Sequence, residues 1–116
     1  MIGFSASTPI YLCTEPCDMR KSFDGLCGLV HNYMGKQSVS ENVFVFVNRT
    51  CDRMKILHWD RHGFWLYYKR LEQGHFQIPS FSEHPQPDLY LTYDQLLMIL
   101  EGIDYTTVRR RKRFTL

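Results

Sequence analysis

The sequence predicts an α+β domain, on three observations. Val43 to Val47 alternates valine with phenylalanine, Met54 to Lys69 reads as two strands around a short polar connection, and these strands are flanked by two segments with helical spacing of apolar residues. The expected architecture is an antiparallel sheet of about four to five strands with a central β-hairpin, packed by an N-terminal helix and a C-terminal helix.

Ile10 to Leu12 reads as a short first strand, ended by the turn chemistry of Thr14-Glu15-Pro16. A helix follows, with Asp18 as its expected cap. Phe23, Leu26, Cys27, Val30 and Met34 form one apolar stripe that stops at Gly35. Gly25 and Gly28 lie inside that helix, where glycine costs roughly 1 kcal/mol against alanine, so close approach of a neighbouring backbone is expected there.

Val43 to Val47 is the clearest strand, closed by the polar turn Asn48-Arg49-Thr50-Cys51-Asp52. Met54 to Trp59 and Phe64 to Lys69 pair around Asp60-Arg61-His62-Gly63, giving three consecutive antiparallel strands. A weaker strand is expected over His75 to Ile78, then a surface connection from Pro79 to Pro87 and a short strand over Leu89 to Leu91. Thr92 and Gln95 have the spacing of a capping box, Leu96, Leu97 and Leu100 supply an apolar face, and Gly102 is the stop. Residues 1–104 are read as one domain and 105–116 as a basic, flexible tail.

The 116 residues are 44% hydrophobic and 15% aromatic, enough for one real core. No run reaches the roughly 20 apolar residues of a membrane span, and the N-terminus lacks the basic start and apolar stretch of a signal peptide, so a cytoplasmic protein is expected. Cys13, Cys17, Cys27 and Cys51 are accordingly read as free thiols.

The net charge of +2 hides an asymmetry. Up to Val108 the chain carries nine cations and twelve anions, a net of −3, and Arg109, Arg110, Arg111, Lys112 and Arg113 then add five positive charges. Five adjacent cations point to a polyanion, with a merely solubilising end as the bland alternative.

The stretch from Arg49 to Glu72 has a net charge of +3 and sets Arg53, Lys55, Arg61, Lys69 and Arg70 among Trp59, Phe64, Trp65, Tyr67 and Tyr68. Strand alternation allows Arg53, Lys55 and Lys69 to share a solvent face with some of these rings, offering cations for phosphates and flat surfaces for stacking. The competing reading keeps the rings in the core and leaves the cations to blunt an exposed sheet. Cys13 and Cys17 have the spacing of half a zinc site, but no second half follows, and no metal or cofactor is expected. Asp18, Asp24, Asp52 and Asp60 are the carboxylates a metal-dependent nuclease would need, yet Asp18 reads as a cap and Asp60 as a turn residue. No nucleophile–base pair or phosphate-cradling glycine loop is present, so no enzyme activity is expected.

Four motifs in order carry a resemblance: Cys17-Asp18-Met19-Arg20-Lys21-Ser22-Phe23-Asp24-Gly25-Leu26; Lys55-Ile56-Leu57-His58-Trp59-Asp60 with Gly63-Phe64; Tyr68-Lys69-Arg70-Leu71-Glu72; and Leu100-Glu101-Gly102-Ile103-Asp104. From about Ile10 to Asp104 the chain resembles the small accessory protein, often called TnpB or Orf2-like, of the insertion-sequence sixty-six class of bacterial mobile elements. The resemblance implies a non-catalytic role beside a separate transposase. It also makes Asp18, Arg20, Lys21 and Asp24 the candidate shared functional surface, with Gly25, Trp59, Asp60 and Gly63 as further motif positions; a salt bridge is the structural alternative for Arg20 and Lys21.

The leading expectation is DNA contact through Arg20, Lys21, Arg53, Lys55, Lys69, Arg70 and the tail. The rival is a module that docks the transposase or another accessory protein through the aromatic hairpin.

Overall fold

The structure, a computed structural model, describes residues 4–79 and 86–102. In chain order they form β1 (Ile10–Cys13), α1 (Phe23–Asn32), β2 (Val43–Val47), β3 (Arg53–Asp60), β4 (Gly63–Arg70), β5 (Asp88–Leu91) and α2 (Tyr93–Leu100). The expected boundary near Asp104 and the tail beyond it lie outside the described residues.

The strands form one mixed sheet in the order β4-β3-β2-β1-β5. The α+β reading holds, and the sheet is mostly antiparallel. Its parallel pair is β1 with β2, joined through α1, because a helical crossover brings the chain back to start the next strand from the same end. The β3–β4 hairpin forms one edge of the sheet instead of its centre.

All five residues of β2 are buried, and their alternation divides the interior in two. Val43, Val45 and Val47 face a cluster with Ile10, Leu12, Met54, Ile56, Leu91, and Leu96 and Ile99 of α2. Phe44 and Phe46 face a second cluster with Leu57, Cys13, Cys17, and Leu26, Val30 and Met34 from the α1 segment. Each fully buried valine or phenylalanine contributes roughly 1.5–3 kcal/mol, so the central strand is held from both sides.

Four local expectations change. Asp18 does not cap α1: the N-cap is Ser22, four residues on, whose side chain makes no capping bond, and the Asp18 carboxylate instead accepts from the Arg20 backbone and side chain. The helix itself ends at Asn32; Gly35, at φ +67, belongs to the exit that lets the Lys36 N–H reach the Val30 carbonyl at 2.9 Å. Among the described residues no neighbouring backbone presses on the two helix glycines. A Cβ on Gly25 would meet the Cβ and Cγ of Lys21 at 3.1 Å, and one on Gly28 would meet only the Asn32 amide at 4.0 Å. His75 to Ile78 is not a strand; Phe76 is instead a buried plug whose N–H donates to the Cys51 carbonyl at 2.6 Å.

The capping box of α2 forms as expected: Thr92 Oγ1 accepts from the Gln95 N–H at 3.1 Å and Gln95 Oε1 accepts from the Thr92 N–H at 2.9 Å. A helix of eight residues has little other local support. Thr92→Ala should therefore lower the unfolding free energy by about 1 kcal/mol in thermal or urea denaturation, and an unchanged midpoint would refute that role for the cap.

Candidate nucleic-acid interface

The site is built around one buried ammonium. Lys55 lies mid-way along β3 opposite Phe46 of β2 and Tyr68 of β4, on the α1 side of the sheet, and is only 6% exposed. Its Nζ donates to the carbonyls of Met19 at 2.8 Å and Lys21 at 2.6 Å, and sits 4.7 Å from the centre of the Tyr68 ring. A buried charge needs such partners, and here two carbonyls and a π face take the place of a carboxylate. The contact pins the loop between β1 and α1 onto the hairpin.

That loop has its own internal order. The Cys17 N–H donates to the Val47 carbonyl at 2.9 Å, the Lys21 N–H to the Asp18 carbonyl at 3.0 Å, and the Arg20 N–H to Asp18 Oδ1 at 2.9 Å. The Arg20 guanidinium folds back on the same carboxylate, with Nη2 2.6 Å from Oδ2. Hydrogen bonds from the Arg20 side chain and backbone hold the Asp18 carboxyl down at about 2, against an ordinary 3.8. The salt-bridge alternative for Arg20 is thus realised, yet its side chain remains 91% exposed.

Across a cleft of about 340 Å³ stands the turn Asn48–Asp52. Asn48 Oδ1 accepts from the N–H groups of Asp52 and Arg53, both at 3.0 Å, while Asn48 Nδ2 and Thr50 Oγ1 donate to Asp52 Oδ1 at 2.7 and 2.9 Å. Those side-chain bonds lower the Asp52 carboxyl below its usual range. Asp18 and Asp52 line the same cleft as Arg49 and Arg53. Arg49 did not stand out in the sequence, because only the folded turn shows it facing the Asp18 loop.

The register then brings Arg53 directly opposite Arg70, next to the Lys55–Tyr68 pair and on the same face. Tyr68 is 52% exposed on that face. Arg70 reaches Glu72 at 2.8 Å, whereas Lys21, Arg49 and Arg53 form no ion pair among the described residues. Arg20, Lys21, Arg53, Lys55 and Arg70 are therefore brought together.

Lys69 is not. It pairs with Met54 on the opposite face and donates to the Leu100 carbonyl at the end of α2, at 2.8 Å. The expectation that Arg53, Lys55 and Lys69 share one face fails by a single step of strand alternation. Arg109 to Arg113 lie outside the described residues.

The remaining motif positions cluster at the hairpin tip. Trp59 packs edge-on against Phe64 with ring centres 5.0 Å apart, Trp65 Nε1 donates to Asp60 Oδ2 at 3.3 Å, and Asp60 pairs with Gly63 across a turn in which Arg61 has φ 56. A Cβ on Gly63 would meet nothing within 4 Å among the described residues, so their packing does not explain a glycine there. Asp24 is exposed in the first turn of α1.

The four aspartates named for phosphodiester cleavage are thus spread over the cleft, α1 and the hairpin tip. No group of three or more histidine, cysteine or acidic side chains suited to a metal occurs among the described residues. Cys13 and Cys17 are buried thiols that donate to the Glu15 and Asp18 carbonyls, and desolvation pushes both up to about 11. No described helix is long and apolar enough to cross a membrane.

A family model described as "IS66 Orf2 like protein" matches residues 8–110, which include every element from β1 to α2. The chain belongs to the IS66 Orf2-like family. It is 32% identical over 111 residues to "Uncharacterized protein y4jC" of Sinorhizobium fredii, covering 96% of this chain and 92% of that one. It is 29% identical over 105 residues to "Uncharacterized protein y4hO" of the same organism, covering 90% and 89%. No solved structure matches. The IS66 Orf2-like proteins are insertion-sequence accessory proteins, so the basic face belongs to an accessory factor of a mobile element.

Two outcomes follow from this geometry. Lys55→Met keeps the apolar stem but leaves the Met19 and Lys21 carbonyls without their donor; stability should fall by roughly 1–3 kcal/mol, with faster hydrogen exchange at Lys21. An unchanged unfolding midpoint would show that the ammonium does not hold the loop. The Asp18 carboxyl is depressed in the folded state, so its contribution is complete above about 4 and is lost as pH falls through about 2. Titration by carboxyl-detected NMR should find Asp18 still ionised at pH 3, and a midpoint near the ordinary 3.8 would contradict the Arg20 clamp.

Proposed function

We propose that this IS66 Orf2-like protein is a non-catalytic accessory factor that holds DNA phosphates on the face formed by Arg20, Lys21, Arg49, Arg53 and Arg70, with the basic tail adding to the same contact. The observation that carries this reading is the direct cross-strand opposition of Arg53 and Arg70. Like charges opposite one another destabilise a strand pair; Glu72, 2.8 Å from Arg70, offsets only one of the two, so a further anion beside Arg53 lowers the penalty. Lys55 behind them is already bonded to carbonyls and serves the surface by holding Met19 and Lys21 in place. The Tyr68 ring supplies a flat surface among the cations, suited to a sugar or an unpaired base.

Fluorescence anisotropy with a labelled terminal-repeat duplex and a scrambled duplex tests the proposal. With about four phosphates neutralised, affinity should fall about 100-fold between about 50 and 200 mM salt. The Arg53→Ala/Arg70→Ala double variant should bind more weakly to both duplexes, and its salt slope should be shallower by about two. Binding that ignores salt, or a double variant with the parent slope, would overturn it.

The other face favours a second reading. A groove of about 420 Å³ between α2 and β4 is lined chiefly by apolar groups of Met54, Ile56, Tyr67, Leu97 and Leu100. It suits docking of the element's transposase. Retention of the Arg53→Ala/Arg70→Ala variant by the transposase in nuclease-treated lysate, with no DNA affinity in either form, would make this the working function.

A further inference from the structure

β4 is an outer strand of the sheet, and among the described residues nothing pairs with its outer side along all eight positions. The opposite edge, β5, has only four residues, and shortness is a common protection against pairing with another chain. β4 is long, free of bulges in its register with β3, and carries exposed aromatic rings on both faces, Trp65 on one and Tyr68 on the other.

The register decides which backbone groups are free. The Arg61–His62 connection closes on Asp60 opposite Gly63, and a two-residue connection closes on a pair that exchanges both its hydrogen bonds. Alternation from that pair turns the N–H and C=O groups of Gly63, Trp65, Tyr67 and Lys69 toward β3. Those of Phe64, Leu66, Tyr68 and Arg70 point outward. We propose that this edge joins a second copy of the chain, antiparallel about a twofold axis at Tyr67, so that two five-stranded sheets become one.

In that register Leu66 lies opposite the partner's Tyr68, and Phe64 lies opposite the partner's Arg70. Tyr67 meets the partner's Tyr67, and Lys69 stands beside the partner's Trp65. Lys69 and Arg70, already bonded within one chain to the Leu100 carbonyl and Glu72, thereby stand opposite aromatic residues, and no two like charges oppose each other. Centring the axis on Leu66 instead sets Lys69 opposite a glycine and leaves Arg70 beyond the paired strand. Directly opposed residues share a face of the sheet, so the Arg53–Arg70 faces of the two copies fall on the same side. The proposal rests on the fold and the register, and its test contains no DNA.

Sedimentation equilibrium of the full chain over a concentration series should give twice the mass of one chain. In a background with Cys27→Ser and Cys51→Ser, Tyr67→Cys should form a disulfide-linked dimer under mild oxidation. Leu66→Cys should not, because the two copies of that position are two residues out of step and beyond disulfide reach. Tyr68→Pro removes an outward N–H without touching a bond to β3, and should give a monomer with unchanged far-ultraviolet circular dichroism. A monomer at every concentration, a Tyr68→Pro variant that remains a dimer, or linkage through Leu66→Cys in preference to Tyr67→Cys would overturn the proposal. If Tyr68→Pro does not fold, the two cysteine variants still decide between these outcomes.

Discussion

A five-residue strand buried on both faces organises this molecule. Val43 to Val47 cannot be satisfied by a sheet with one wet side, because valines and phenylalanines point in opposite directions and every one of them is buried. Two helices must therefore lie on opposite faces. Routing the chain from β1 through α1 into β2 covers one of them and makes β1 and β2 parallel. The second face receives α2, a helix so short that its capping box and its contacts through Leu96 and Ile99 carry most of its stability.

What the layers leave uncovered is as informative as what they bury. The two helices cover the middle of the sheet, while β4 at its edge keeps Trp65 and Tyr68 in solvent. On the α1 side the gap beyond the helix is filled by the Asp18–Ser22 loop, and Lys55 is the fastening. An ammonium bonded to two main-chain carbonyls costs desolvation that an apolar side chain would avoid. In return it fixes the position of a short loop carrying Arg20 and Lys21, which has no regular hydrogen-bond ladder of its own. A lysine expected on the surface thus lies one layer beneath it.

The acidic residues near the basic face are mostly committed to backbone order. Asp18 ties its own turn and Arg20, and Asp52 closes the Asn48 turn. Their charges moderate the cations while leaving Lys21, Arg49 and Arg53 outward and unpaired among the described residues.

Much of the fold was legible from local pattern. The Val–Phe alternation, the apolar stripe from Phe23, the polar connection near Asp60 to Gly63 and the Thr92–Gln95 spacing each express a constraint within about four residues, and each element formed there, although α1 stops at Asn32 and the connection shrinks to Arg61–His62. The four motifs identified the family for a similar reason, since residue types in order survive without knowledge of where they meet. Pairing partners and faces were decided only by tertiary structure. Whether β1 and β2 run parallel, and which edge the hairpin takes, depends on contacts between segments some thirty residues apart. The separation of Lys69 from Arg53 and Lys55 turns on one step of register, and the roles of Asp18 and Lys55 depend on which neighbour reaches them first. The sequence by itself determined most of the elements, the charge and the family, but not the absence of a strand over His75 to Ile78. Only the folded chain decided which of the cations share a surface, because that surface exists only where a loop, a turn and a strand edge come together.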